Sequence, residues 1–125
     1  MTPALFGALA LAGGLGATAR VALDGLVRAH TDHAIVWATA LINLSGSLLL
    51  GLISGLVIAH TLPDAWQVVV GTGFLGGYTT FSTASYETVR LVQQGRRSSA
   101  VGYGVGTLIA ATALAGAGLR LGALI

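Results

Sequence analysis

The stretch that decides the fold is residues 71–88, GTGFLGGYTTFSTASYET, where glycine and hydroxyl residues interrupt an otherwise apolar sequence. Its centre holds the pair Gly76-Gly77. The hydroxyl residues that follow this pair are Thr79, Thr80, Ser82, Thr83 and Ser85. Glycine destabilises a helix, and serine and threonine side chains compete for backbone hydrogen bonds. This composition predicts a helix that is broken near residues 76–80.

The chain around this stretch is too apolar for a soluble domain. Of its 125 residues, 54% are hydrophobic and 8% are charged, whereas a typical soluble domain has roughly 25% charged residues. A helix needs about 20 apolar residues to cross ~30 Å of hydrocarbon. The stretches without charge are 3–19, 34–59, 65–86 and 98–119. The absence of cysteine excludes disulfides and thiolate metal ligands, and the few scattered arginines do not suit nucleic-acid binding.

We therefore expect an all-α integral membrane protein with a single four-helix transmembrane domain over residues 1–125. The predicted helices cover about 3–23, 34–59, 65–90 and 98–122, the third of them broken. GxxxG pairs allow close helix packing in lipid. These pairs are Gly51–Gly55, Gly73–Gly77, Gly102–Gly106 and Gly118–Gly122. A bundle of four helices is too thin to enclose an aqueous path of its own. We therefore also expect oligomerisation.

The arginines are concentrated at one end of the predicted bundle. All of them except Arg120 lie in the first and third loops, residues 24–33 and 90–98, or at the adjoining helix ends. Because positive loops stay in the cytoplasm, both loops are predicted to be cytoplasmic and both termini to face outward. The protein is expected in the cell membrane as a multi-pass protein. The three histidines lie in or beside loops and are expected to be solvated rather than to bind a metal.

Polar side chains form a stripe on the second predicted helix. Thr39, Asn43 and Ser47 are four residues apart, so they lie on one helix face. Tyr103 and Thr107 repeat this spacing on the last helix. Two interpretations remain open: hydrogen bonding between helices, or a ladder of donors for an anion, since an amide NH₂ supplies two donors.

The residues after the break also point to an ion. Carbonyls freed at mid-membrane depth must face protein, water or an ion. Phe81 follows the break, and the electropositive edge of its ring can face an anion. Glu87 is the only acid in its apolar stretch, so it is a candidate functional residue. Its alternative role is an interfacial ion pair with Arg90, three residues later.

Three blocks of sequence resemble the Fluc, or CrcB, family of fluoride channels: GGLGATAR (13–20), NLSGSLLLGL (43–52) and GFLGGYTTFST (73–83). The resemblance covers all four predicted helices in order. It implies an antiparallel dimer with two fluoride pores and a sodium ion at the dimer centre. The implied function is a passive, fluoride-selective channel that lowers cytoplasmic fluoride by efflux, and not an enzyme.

The resemblance also implies roles for individual residues. Asn43 would be the amide donor of the pore, and Phe81 the aromatic residue whose ring edge meets fluoride. The backbone carbonyls of Gly76 and Thr79 would hold the sodium ion. The further implied residues are Thr39, Ser82, Thr83, Tyr103 and Thr107 along the pore, Arg20 in the vestibule and Glu87 as an acid near the pore.

The chain departs from the family pattern at Ala84. The family usually reads TTFSTF, with two phenylalanines three residues apart, and here the second is alanine. The strong arginine bias also favours insertion in one orientation, whereas an antiparallel homodimer needs both. We therefore hypothesise that the chain is one subunit of a heterodimer, whose partner is a paralogue of opposite topology with a complete phenylalanine pair. A homodimer is the alternative.

Two other function classes remain as alternatives. A proton-coupled small four-helix exporter depends on an acid within the first helix, and residues 3–19 contain none. A non-transporting membrane assembly protein is favoured if the polar residues serve only to join helices. The clustering of Asn43 and Phe81 with the glycine–threonine break favours the channel.

Overall fold

The structure is a computed structural model that describes residues 1–32 and 34–125, and its description of side chains leaves out 34–36. Every secondary-structure element of the described part is helical. The long helices are α1 (Pro3–His30), α2 (Ala34–Ile58), α4 (Phe81–Gln93) and α5 (Arg97–Leu124). Helix α3 covers residues 64–78 in three continuous pieces, Asp64–Trp66, Gln67–Leu75 and Gly76–Tyr78, of which the middle one is π-helical. His33, one of the three histidines, lies outside the described residues.

Three of the described helices are long and apolar enough to cross a membrane: Pro3–His30, Trp37–Ile58 and Arg97–Leu124. Large apolar side chains on these helices, such as Leu11, are exposed. Contiguous exposed apolar surface of this kind suits lipid rather than water. The chain is therefore an all-helical integral membrane protein.

Helix α1 extends to His30, although the sequence predicted that it would end at residue 23. Charged residues in this region suggested a loop, but Asp24 and Arg28 are four residues apart and form a salt bridge of 2.8 Å. Such a pair stabilises a helix. Much of the predicted loop 24–33 is therefore the exposed last part of α1, where His30 Nδ1 contacts the Leu26 carbonyl oxygen at 2.8 Å.

The largest helix contact, between α2 and α5, is made by two GxxxG pairs. A Cβ added at Gly51 or Gly55 would collide with the α5 backbone, and one added at Gly118 or Gly122 with the α2 backbone. The two backbones therefore touch directly, which confirms the close packing predicted from the glycine spacing, although the sequence did not predict which helices would pair. The Gly73–Gly77 pair packs in the same way against α1.

The Gly102–Gly106 pair does not follow this prediction. An added Cβ at either residue meets nothing within 4 Å, so this face of α5 is not packed against the rest of the described chain. The motif requires small residues at four-residue spacing but does not say which helix face they occupy. Here the face carrying Gly118 turns toward α2, and the face carrying Gly102 turns outward.

The predicted break in the third segment is present at Thr79 and Thr80. Both residues have extended backbone angles, with φ −79° and ψ 159° at Thr79 and φ −147° and ψ 115° at Thr80. Helix α4 begins directly afterwards, and Thr80 caps it by accepting a hydrogen bond from the Thr83 amide at 3.2 Å. The π-helical stretch Gln67–Leu75 before the break was not predicted.

Candidate functional site

The side chain of Asn43 binds both polar backbone groups of Thr80 at the break. Its Nδ2 donates to the Thr80 carbonyl oxygen at 2.8 Å, and its Oδ1 accepts from the Thr80 amide at 2.8 Å. The bond to the Thr80 amide replaces the helical partner that this group loses at the break, and unpaired backbone groups are costly in lipid. The middle of α2 therefore holds the break in place.

The break also changes the surroundings of two backbone carbonyls. In a continuous helix the Thr80 amide would donate to the Gly76 carbonyl, and the Thr83 amide to the Thr79 carbonyl. Here the Thr80 amide donates to Asn43, and the Thr83 amide donates to the Thr80 hydroxyl. The carbonyls of Gly76 and Thr79 thus lose these helical donors.

A partly open groove of about 830 Å³ runs along α2, α3, α4 and α5 beside the break. It brings together residues that are distant in the sequence. The predicted site residues that line it are Asn43, Gly76, Thr79, Phe81, Tyr103 and Thr107. Ala84 lines the same groove. A few polar side chains stand in a wall that is otherwise apolar, which is the usual composition of a small-ligand site.

Five predicted site residues do not line this groove within the described chain: Ser82, Thr83, Arg20, Thr39 and Glu87. Ser82 and Thr83 lie beside the Thr80 hydroxyl at the start of α4, 3.3 Å and 3.0 Å from it. Arg20 is on α1, and the groove walls come from the other helices. Thr39 is 1% exposed and donates to a Glu87 carboxylate oxygen at 2.9 Å.

Phe81 lies at the edge of the groove with 86% of its surface exposed. It is the first residue of α4, and the extended backbone just before it turns the side chain away from the bundle. In a membrane protein an exposed apolar ring can face lipid, a second chain or a ligand. Its placement at the groove agrees with the predicted pore position, while its role stays a prediction.

Glu87 is buried, with 3% of its surface exposed, behind the Tyr103 end of the groove. The Tyr103 hydroxyl donates to its Oε2 at 2.6 Å, and the Thr39 hydroxyl donates to its Oε1. Its ion-pair partner among the described residues is Arg28, whose Nη2 lies 3.9 Å from Oε1. The pairing with Arg90 that the sequence allowed is therefore not formed, and Arg90 is exposed.

Several groove residues were missed by the sequence analysis. Ser85 and Thr88 line the groove, four and seven residues after Phe81. This is the spacing of one helix face, so the position of Phe81 could have identified them. Gln67 also lines the groove, and its Oε1 accepts from Ser54 at 3.0 Å. No pattern in the sequence pointed to Gln67.

Several known proteins are similar in sequence to this chain over nearly its full length. The family model described as CrcB-like protein, Camphor Resistance (CrcB), matches residues 7–119. A protein of Leifsonia xyli named fluoride-specific ion channel FluC 1 is 51% identical over 124 residues, covering 99% of this chain and 90% of that protein. Fluoride-specific ion channel FluC 2 of Cutibacterium acnes is 45% identical, covering 90% of this chain and 92% of that protein. A fluoride-specific ion channel FluC of Thermus thermophilus is 39% identical, and each chain is covered to 91%.

Proposed function

This chain belongs to the CrcB family, and from that premise we propose that it is a fluoride-selective ion channel that lowers cytoplasmic fluoride by passive efflux. The observation that carries this proposal is its 51% identity, over nearly the whole chain, to a protein named as a fluoride-specific ion channel. The family named in this way consists of channels rather than enzymes. The groove beside the break supplies the matching chemistry.

Fluoride is small and holds its hydration water strongly, so a pore must replace that water with other donors. Asn43 uses one of its two N–H groups on the Thr80 carbonyl, which leaves the second for an anion. The Thr107 hydroxyl and the edge of the Phe81 ring are the further contacts in the groove. A site of one amide and neutral groups binds an anion weakly enough to release it.

Efflux needs no coupled energy source. A negative-inside membrane potential drives an anion outward by about 2.3 kcal/mol per 100 mV. Fluoride that enters as neutral HF and dissociates in the cytoplasm would therefore leave through an open pore.

We propose that α3 and α4 together form the remaining span, which gives four transmembrane segments with the break inside the membrane. The Arg28–Glu87 contact supports this arrangement, because it puts the end of α1 beside the second half of the broken segment. The cytoplasmic position of loops 24–33 and 90–98, with both termini outside, is proposed from the arginine distribution.

We also propose an antiparallel dimer with a sodium ion at its centre. The carbonyls of Gly76 and Thr79 fit such an ion, because the break removes their helical donors and Gly76 is exposed. Unwound carbonyls in membrane helices bind Na⁺ in this way. Two chains would supply two carbonyls each. When bound, the ion supplies a positive charge that draws the two breaks together.

The function is tested by fluoride efflux from liposomes that contain the purified chain, recorded with a fluoride electrode after valinomycin provides a path for K⁺. Fast efflux from the chain alone supports a homodimeric channel. Efflux only after co-expression with a paralogue supports the proposed heterodimer. Efflux in neither case contradicts the channel and favours an assembly protein, while efflux that requires a proton gradient favours the exporter.

Restoring the missing aromatic residue is a further test of the proposed pore. Ala84 lines the groove three residues after Phe81, so Ala84→Phe places a second ring on the same wall. We expect this variant, expressed alone, to conduct fluoride at least about tenfold faster than the unmodified chain alone, since one further anion contact of ~1.4 kcal/mol gives a factor of ten. The matched control is Ala113→Phe on the exposed part of α5, outside the groove. Equal efflux from the Ala84 variant and the unmodified chain would contradict the heterodimer explanation of Ala84.

A further inference from the structure

A buried carboxylate cluster connects the end of α1 with the groove. We define it as Glu87, its hydroxyl donors Thr39 and Tyr103, and the ion pair of Arg28 with Asp24. Both Glu87 oxygens are occupied, Oε1 by Thr39 at 2.9 Å and Oε2 by Tyr103 at 2.6 Å. The cluster spans α1, α2, α4 and α5, so every long helix contributes to it.

The hydrogen bonds of this cluster determine whether Tyr103 can donate a hydrogen bond to an anion in the groove. A hydroxyl group has one proton to donate, and Tyr103 donates that proton to Glu87. That proton is therefore not available to an anion in the groove that Tyr103 lines. A full negative charge lies directly behind it. Both features oppose the approach of fluoride unless the charge of Glu87 is offset.

Arg28 is the cation placed to offset that charge. Its Nη2 lies 3.9 Å from Glu87 Oε1, while its Nε donates to Asp24 Oδ2 at 2.8 Å. Asp24 thus fixes the guanidinium with one edge turned toward Glu87. In the described part of the chain, the charged or titratable groups facing Glu87 are Arg28 and Asp24 from α1 and Tyr103 from α5, and α2 presents the neutral Thr39.

We propose that Arg28, oriented by Asp24, is a positioning residue for Glu87. It keeps the carboxylate on Thr39 and Tyr103 and offsets its charge, so that fluoride can pass the Tyr103 end of the groove. This inference rests on the proposed channel function and deepens it. It gives a role to a residue that contacts neither the groove nor fluoride.

The test is the substitution Arg28→Gln, with fluoride efflux measured in whichever assembly conducts, homodimeric or with its paralogue. We expect efflux at pH 8 to fall by about threefold to tenfold, between the small effect of an exposed ion pair and the large effect of a buried one. Protein-free vesicles give the leak of HF.

Two further variants separate positioning from a loss of structure. Arg28→Gln combined with Glu87→Gln removes both charges and should restore efflux at pH 8, and Arg28→Lys should restore it in part. Arg90→Gln is the matched control, because it removes the same charge from the helix that carries Glu87 but has no contact with it. We expect Arg90→Gln to conduct normally.

Each outcome bears on one proposal. Normal efflux through Arg28→Gln overturns the inference while leaving the channel intact. An equal loss in Arg90→Gln overturns it as well, since it shows a general effect of charge. A loss in Arg28→Gln that the double variant does not restore shows a structural role and contradicts the proposal. Absence of efflux from the unmodified protein, both alone and with its paralogue, contradicts the proposed function itself, and the inference falls with it.

Discussion

Replacement of Asn43 by aspartate is expected to abolish fluoride efflux, by at least about a hundredfold, because it places an unpaired charge where an amide was paired. The Asn43 side chain now donates to the Thr80 carbonyl and accepts from the Thr80 amide, both at 2.8 Å. A carboxylate can still accept from the amide. Its second oxygen would face the Thr80 carbonyl oxygen with no proton between them.

The same change acts on fluoride directly. Aspartate removes the N–H group that remains for the anion and adds a negative charge to the groove. Gln94→Glu is the matched control, because it adds the same charge in the exposed turn after α4. We expect that control to conduct normally. Normal efflux through a monodisperse Asn43→Asp protein would show that neither the bridge to Thr80 nor the amide donor matters.

Replacement of Phe81 by isoleucine is expected to stop efflux without destabilising the chain. The ring is 86% exposed, so its removal leaves no cavity within the chain. Isoleucine is apolar and branched but offers no electropositive ring edge. Fluoride would have to shed water without a replacement contact, and we expect efflux to fall by about a hundredfold, since uncompensated burial of charge is costly.

Phe6→Ile is the matched control for this prediction. Phe6 is 63% exposed on α1, which does not line the described groove, so its replacement changes an exposed ring at a distance from the proposed pore. Two quantities are measured for each protein: the initial rate of fluoride efflux from liposomes and the thermal stability in detergent. Equal rates in the two variants would contradict a direct contact between the ring and fluoride, and a Phe81→Ile protein that aggregates would contradict the prediction that stability is kept.

The broken third segment could be predicted because its cause is local. Glycines and hydroxyl residues stand next to each other in residues 76–80, and the extended backbone is at Thr79 and Thr80 within that range. Close backbone packing at Gly51 and Gly118 was also predictable, but not that it would join α2 to α5. The identical spacing at Gly102 failed as a predictor, because a motif does not specify the direction of its helix face.

Contacts between distant segments could not be predicted. Arg28 was assigned to a loop because it is charged, whereas it extends α1 through its pair with Asp24. Its approach to Glu87 depends on how α1 packs beside α4, which a local pattern does not determine. The sequence suggested Arg90, three residues later, as the ion-pair partner of Glu87. In the folded chain the partner is Arg28 instead.

The most direct test of the proposed fluoride path uses the absence of cysteine from the chain. A single Ser85→Cys places one thiol in the groove, and Thr112→Cys places one on the exposed surface of α5, outside it. Both proteins are labelled with a bulky methanethiosulfonate reagent, labelling is verified by mass, and fluoride efflux is recorded. If the groove carries fluoride, labelling stops efflux through the Ser85→Cys protein and leaves the Thr112→Cys protein conducting. Unchanged efflux through fully labelled Ser85→Cys protein would contradict a fluoride path along this groove.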